Sequence, residues 1–272
     1  MSVWLPTAPC TPETCLTDRA PVVAPPRRVL RLAACLVVLV TGLALILPVR
    51  ALPAGVRDRL VRRWARTLLG SLGVSLRLGA PPVAQGGVLV VANHVSWLDI
   101  PLIAAGRPGR SLAKTEVGRW PVLGTLVAWG GTVFLDRDRL RTLPGTVAAV
   151  AEVLRAGRPM VVFPEGSTWC GRESGRFRPA FFEAAVRTGA PVQPVTIRYR
   201  LADGLPTSAP AFVGEDGLLS SLARVVAVRG LVAEVTFLPP VAAPAGAGSE
   251  RWRARRELAR AAQAAVEAAG RR

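Results

Sequence analysis

Val88-Leu-Val-Val-Ala-Asn-His-Val-Ser-Trp-Leu-Asp99 is the stretch on which the fold turns. Its first five residues are apolar without alternation, which predicts a strand covered on both faces, as a largely parallel sheet between helices requires. The strand delivers His94 to its end, and a carboxylate, Asp99, follows five residues later. On a continuous helix, five steps of about 100° would leave these side chains roughly 140° apart. They meet only if the chain turns between them. A strand, a turn and a helix start satisfy that condition, and Ser96 is a suitable cap for the helix. An imidazole beside a carboxylate is how an acid fixes the ring tautomer while the ring removes a proton. It is equally the pattern of a satisfied structural histidine, and spacing alone leaves both readings open.

Outward from this stretch, short apolar runs alternate with helical spacing. Thr132–Leu135, Met160–Phe163, Val192–Arg198 and Val232–Leu238 read as strands, and Thr142–Ala156 and Phe181–Thr188 as helices. The alternation predicts an α/β domain around a mostly buried sheet flanked by helices. Ser249 is placed to cap a last helix, rich in Ala and Arg, through Ala268.

The N-terminal region differs. Residues 1–28 carry Pro, Thr and scattered charge without periodicity, the pattern of a flexible tail. From Leu32 to Val49 the only polar side chain is Thr41, and Arg27, Arg28, Arg31 and Arg50 flank the run. Its 18 residues span about 27 Å as a helix, close to the ~30 Å core of a bilayer. A membrane segment is expected, with a buried core helix as the alternative. The more basic C-terminal flank favours a catalytic domain on the cytoplasmic side. Leu60, Val61, Trp64, Leu68 and Leu72 then recur near helical spacing with Arg between them. That suits a helix on an anionic surface or an ordinary amphipathic helix on the core.

Composition narrows the function classes. The chain has 272 residues, half of them hydrophobic, and a formal net charge of +17. The excess predicts attraction to polyanions. Yet arginine is spread along the chain, aromatics are only 6% and no nucleic-acid motif occurs, so nucleic acid is not the expected partner. All the basic residues but Lys114 are arginine, and His94 is the only histidine. A single His and no Cys-x-x-Cys pair give no expectation of a metal. Neither a Gly-x-Ser-x-Gly elbow nor a phosphate-cradling Gly-rich loop occurs, so a His94 base would act on the substrate's own hydroxyl. Glu165 and Gly166 in Phe163-Pro-Glu-Gly166, and Arg137 in Gly131-Thr-Val-Phe-Leu-Asp-Arg137, stand at strand ends. Strand ends of one sheet converge on one rim, where open α/β sheets bind ligands.

Asn93-His94-Val95-Ser96-Trp97-Leu98-Asp99 resembles the NHxxxxD signature of the glycerolipid acyltransferases, notably the 1-acylglycerol-3-phosphate acyltransferases. Other blocks follow in that family's order: Lys114 to Gly124, Gly131 to Arg137, Phe163 to Gly166, and Pro191-Val-Gln-Pro194. The likeness covers about residues 87–200. It implies a glycerol-3-phosphate-acyltransferase-like α/β domain over 81–248, preceded by a tail (1–28), a membrane segment (29–50) and an amphipathic linker helix (51–80), and followed by a C-terminal helix (249–272). It implies that His94 is the general base and Asp99 its orienter. The hydroxyl of a lysophospholipid would attack an acyl thioester, from acyl-CoA or acyl carrier protein, in phospholipid biosynthesis at a membrane. No cofactor beyond that co-substrate is implied. Lys114 and Arg137 would lie near the acceptor phosphate, with Glu165 and Gly166 shaping its site. One departure bears on the acceptor. Many members continue the Phe-Pro-Glu-Gly block with Thr-Arg, whereas Ser167-Thr168-Trp169 follows here. Arg172, Arg176 and Arg178 are the nearest substitutes, and another lysolipid, such as a lyso-aminolipid, is the alternative acceptor. A non-catalytic lipid-binding relative would be expected to lack His94 or Asp99; both are present.

Overall fold

The computed structural model describes residues 8–18, 20–80, 84–120, 123–136, 139–244 and 250–270. Its centre is a seven-stranded sheet: β1 (Val74–Leu78), β2 (Leu89–Ala92), β3 (Arg110–Lys114), β4 (Val133–Leu135), β5 (Met160–Val162), β6 (Val192–Leu201) and β7 (Leu231–Phe237). The strand order is β1-β7-β6-β2-β5-β3-β4. Only the β6–β7 pair is antiparallel. The helices are α1 (Pro12–Cys15), α2 (Pro25–Arg50), α3 (Ala54–Ser71), α4 (Asp99–Gly106), α5 (Leu123–Trp129), α6 (Leu143–Arg155), α7 (Phe182–Thr188), α8 (Leu218–Ala227) and α9 (Arg251–Gly270).

The unbroken apolar run of β2 has the cause anticipated from sequence. Val90 and Ala92 face one core with Leu68, Leu69, Leu102 and Ile197, while Leu89 and Val91 face another with Val150, Phe182 and Leu258. Helices α3, α4 and α8 supply the first layer, and α6, α7 and α9 the second. With β6 and β5 as its neighbours, β2 is interior to the sheet. The segment after it is therefore aimed from the middle of the rim.

Several expectations need correction. The segment 51–80 is not a linker helix throughout, because Val74–Leu78 leaves the helix and pairs in parallel with β7. Its alternating Val-Ser-Leu-Arg-Leu suits an edge strand with one face covered. Strand β3 was hidden by composition: Arg110 and Lys114 bracket only three small or apolar residues. The C-terminal helix is an integral part of the domain, burying Ala254, Leu258, Ala259, Ala262 and Val266. Its expected cap, Ser249, lies outside the described residues. Ser96 caps no helix either; its hydroxyl accepts from Leu98 N at 3.3 Å inside the turn before α4.

The expected tail is a strap on the domain over the part that is described. Asp18 Oδ2 accepts from Ser208 N at 2.6 Å, Val23 N donates to Ala227 O at 2.8 Å, and Arg229 N donates to Pro21 O at 2.7 Å. An extended strap draws its order from such distant partners, so it carries no periodicity of its own. Helix α2 follows it, long and apolar enough to cross a membrane. One flank packs on α3, where Trp64 Nε1 donates to Val38 O at 3.0 Å across Gly42. Leu30, Leu36, Val37, Val40, Leu45 and Leu47 are exposed.

Candidate active site

The ends of β2, β3 and β5 bring His94, Lys114 and the Phe163–Gly166 segment to one rim of the sheet. Asn93 continues β2 without being a strand residue. Its side chain exchanges two 2.9 Å hydrogen bonds with the backbone of Ile197, standing in for the next rung towards β6. This pins the chain one residue before His94.

The turn from His94 to Asp99 folds back on its own carboxylate. Asp99 Oδ2 accepts from Val95 N at 2.7 Å and Ser96 N at 2.9 Å, and lies 2.8 Å from His94 Nδ1. Oδ1 accepts from the Tyr199 hydroxyl at 2.6 Å. Asp99 is wholly buried. A carboxylate in such a place needs several donors to offset its desolvation, and four are supplied. Burial, and then the charge of Asp99, hold the Tyr199 phenol well above its usual pKa, so it remains a donor. With the carboxylate accepting, Nδ1 carries the ring proton, and the Nε2 lone pair is left for a substrate. The ring stacks on Phe163, centroids 3.9 Å apart and planes 13° from parallel.

Glu165 holds the histidine from the other side. Its Oε2 accepts from His94 N at 2.8 Å and its Oε1 from Gly175 N at 3.1 Å, while Trp169 N donates to His94 O at 2.8 Å. Burial pushes the Glu165 carboxyl up to about 8 against the two N–H bonds, and the charge of Asp99 adds to the rise. Glu165 therefore meets the backbone of the site. Gly166 has φ +77°, the left-handed conformation that lets the chain turn back after β5. At Gly175 a Cβ would run into the indole of Trp169, which keeps that amide within reach of Glu165.

His94 lines a cavity of about 2120 Å³ that runs along β3 and under α2 and α3. Thr41, Gly42, Leu45 and Trp64 form its apolar wall, and Lys114, Ser167 and Thr168 stand near the rim. At the other end of β3 are Arg110 and Arg158. Of the expected phosphate ligands, Lys114 is exposed and lines this cavity, whereas Arg137 lies outside the described residues. Arg172, Arg176 and Arg178, the nearest substitutes for the missing family arginine, do not line the cavity. Arg172 pairs with Asp18 at 2.6 Å, and Arg176 and Arg178 are exposed. The Thr168 hydroxyl donates to Phe212 O.

Sequence reasoning missed Tyr199, 100 residues from its partner Asp99. One signal was present: it is the chain's single tyrosine, one residue past the run Val192–Arg198 read as a strand. The strap's place in the cavity wall, at Cys10, Thr11, Pro12 and Glu13, had no sequence signal at all.

The model of the acyltransferase family matches residues 77–198. The 1-acyl-sn-glycerol-3-phosphate acyltransferase of Neisseria meningitidis serogroup B is 38% identical over 183 residues, covering 67% of this chain and 71% of that protein. The lyso-ornithine lipid O-acyltransferase of Pseudomonas aeruginosa is 39% identical over 218 residues, covering 78% and 79%. Among solved structures, the 1-acyl-sn-glycerophosphate (LPA) acyltransferase PlsC from Thermotoga maritima matches in fold with a TM-score of 0.58, at 20% identity, over 88% of this chain and 97% of that one. The chain belongs to the acyltransferase family and is an acyltransferase.

Proposed function

We propose that the protein transfers a fatty acyl group from a thioester donor to the free hydroxyl of a lysolipid, with His94 as general base. The observation that carries this reading is the His94–Asp99 pair, at 2.8 Å, whose histidine lines a cavity walled by an apolar helix. The acceptor hydroxyl gives its proton to Nε2 as its oxygen attacks the thioester carbonyl carbon. The tetrahedral intermediate collapses, the C–S bond breaks, and the thiolate takes the proton back from Nε2. Throughout, Nδ1–H stays on Asp99, which stabilises the transient imidazolium. No acyl-enzyme is required. Asp99 is held by Tyr199, and His94 by Glu165, so the two act as positioning residues.

The acceptor is proposed to be 1-acylglycerol-3-phosphate, with Lys114 near its phosphate. A lyso-aminolipid is the second reading, and one observation favours it: none of the three arginines after the Phe-Pro-Glu-Gly block lines the cavity. Purified protein assayed with acyl-CoA or acyl carrier protein against lysophosphatidic acid, lyso-ornithine lipid and monoacylglycerol tests both. Preference for the first supports the phosphate reading, and preference for the second supports the alternative. Transfer to none of them overturns acylation of a lysolipid.

We further infer that α2 lies along one leaflet, with the catalytic domain on the cytoplasmic side. Near one end, Arg31 Nη1 donates to Val226 O and Val228 O at 2.7 and 2.8 Å, and at the other Arg50 Nη1 donates to Trp129 O at 3.3 Å. A helix tied to its own domain at both ends can bury its bare side in a membrane surface more readily than it can cross one. Full-length protein should float with liposomes and stay with them after a carbonate wash. Protein recovered in a detergent-free soluble fraction would overturn this placement.

A further inference from the structure

Three cysteines from distant parts of the chain meet beside the active-site loop. The sulfurs of Cys10, Cys15 and Cys170 lie within 4.8 Å of one another. All three are free thiols, Cys10 and Cys170 are buried, and acyl transfer uses none of them. Cys10 precedes the one-turn helix α1 and Cys15 is its last residue, and the Thr11–Thr14 capping box fixes the turn between them. Cys170 comes from the loop that follows β5.

We propose that these thiols are a binding site for a thiophilic d10 cation, Zn²⁺ or Cu⁺, which staples the N-terminal strap to the active-site loop. For metal–sulfur bonds of about 2.3 Å, as zinc makes, sulfurs in trigonal or tetrahedral array stand roughly 3.8–4.0 Å apart. Side-chain adjustments of an ångström or less reach that spacing from the one observed. The number of sulfurs favours an ion over a bridge. A disulfide would use two of the three and strand the last, whereas soft thiolate sets select Cu⁺ and Zn²⁺. Binding deprotonates the ligating thiols and releases up to three protons to solvent. The fourth position on Zn²⁺ would be taken by water, while Cu⁺ accepts three ligands.

The consequence reaches the site on both sides of the staple. Cys10, Thr11 and Pro12 form part of the wall of the cavity that His94 lines. Trp169, adjacent to Cys170, holds His94 O through its backbone N–H. An ion here would fix that wall against the loop that positions the base.

The test uses full-length protein in detergent, reduced and stripped of metal. Zn²⁺ alone and, without oxygen, Cu⁺ alone are titrated in competition with chromogenic chelators, and the ion count is read by native mass spectrometry. One ion per chain should be retained by the wild type and by Cys35→Ser, a change away from the cluster; the metal that is held identifies the ion. Cys10→Ser, Cys15→Ser and Cys170→Ser should each weaken binding beyond the roughly 10–100-fold that loss of an outer-shell partner costs. Cys15 is only partly buried, so its variant keeps the test decisive if Cys170→Ser fails to fold. Loading should also slow proteolysis within residues 8–18 of the wild type and not of Cys15→Ser. Failure of the reduced wild type to hold either metal would overturn the proposal. So would retention unchanged in all three variants, or a disulfide as the form isolated under reducing conditions.

Discussion

Two walls of the cavity are built differently. On the wall that carries the base, the turn from Asn93 to Asp99 is held at almost every polar atom: Asn93 by Ile197, His94 by Glu165, Trp169 and Asp99, and Asp99 by four donors. No buried side-chain polar atom without a partner falls in that turn among the described residues. On the wall along β3, Ser111 bonds to Thr132 at 3.0 Å, and the charged groups of the strand are the cations Arg110 and Lys114 on long side chains, with Lys114 exposed. The contrast separates two tasks. Proton removal depends on placing one nitrogen, so its surroundings are over-determined. Binding a headgroup depends on charge at a distance that flexible side chains can adjust.

The sharpest way to break this comparison is at the base. His94→Ala should lower kcat by about 10²–10⁴ while leaving the fold intact, because the ring is partly exposed in the cavity wall and stacks on Phe163 without filling the core. Single-turnover acyl transfer and far-UV circular dichroism check the two halves of that statement. Near-normal turnover would remove the base from the mechanism. Asp99→Asn should cost less in rate and more in stability. An amide cannot accept at both positions, so one of the backbone donors at Val95 and Ser96, or the Tyr199 hydroxyl, is left buried without a partner. Tyr199→Phe, which deletes a single charge-assisted hydrogen bond, should cost on the order of 1.5–3 kcal/mol in stability.

How far the sequence disclosed these walls follows from the range of the contacts. The β2 run and the His94–Asp99 spacing are local, and a strand followed by a turn could be read from them directly. The partners that fix the turn are not local. Tyr199 and Ile197 come from β6, Glu165 and Trp169 from beyond β5, and only the tertiary fold sets them beside His94. The short alternation of β1 follows directly on the helical spacing of Leu60–Leu72 and merges into it. Strand β3 escaped because it holds few apolar residues, and pairing, not pattern, makes it a strand. The strap was missed for the same reason: Asp18 and the strap cysteines meet partners more than 150 residues away. The apolar segment at 32–49 could be read for length and composition, but not for the Arg31 and Arg50 contacts that hold its helix against the domain.

Glu165 offers a subtler break, because its carboxylate holds the backbone of His94 and does not line the cavity. Its carboxyl is raised from an ordinary value to about 8 in the folded protein. Between those values the native state binds the extra proton, so this group makes stability fall as pH rises from about 4.5 to about 8, with the loss complete above that. Glu165→Gln should flatten this part of the profile. It should also cost about 1–3 kcal/mol, since an amide nitrogen cannot accept one of the N–H groups of His94 and Gly175. Melting temperature against pH for the two proteins checks both. A slope unchanged by the substitution would mean that Glu165 titrates as an exposed acid does. In kinetics, the variant should lose kcat with little change in KM for either substrate, the mark of a displaced base.

The smallest effect is expected on the wall along β3, at Lys114. Arginine is used at every other basic position in the chain, so Lys114→Arg asks whether this place needs a compact point charge or simply a cation. A guanidinium is planar and prefers two-toothed contact, whereas an ammonium approaches a phosphate from any side. If the acceptor carries a phosphate beside Lys114, Lys114→Arg should raise KM for the lysolipid a few-fold, and Lys114→Ala should raise it further. KM for the acyl donor and the pH dependence of kcat should both stay in place, because neither change reaches the Asn93–Asp99 turn. Equal loss with lysophosphatidic acid and monoacylglycerol would show that Lys114 does not sense the phosphate. Loss of kcat with KM unmoved would assign Lys114 to the transition state instead, and the two walls would then share the chemistry.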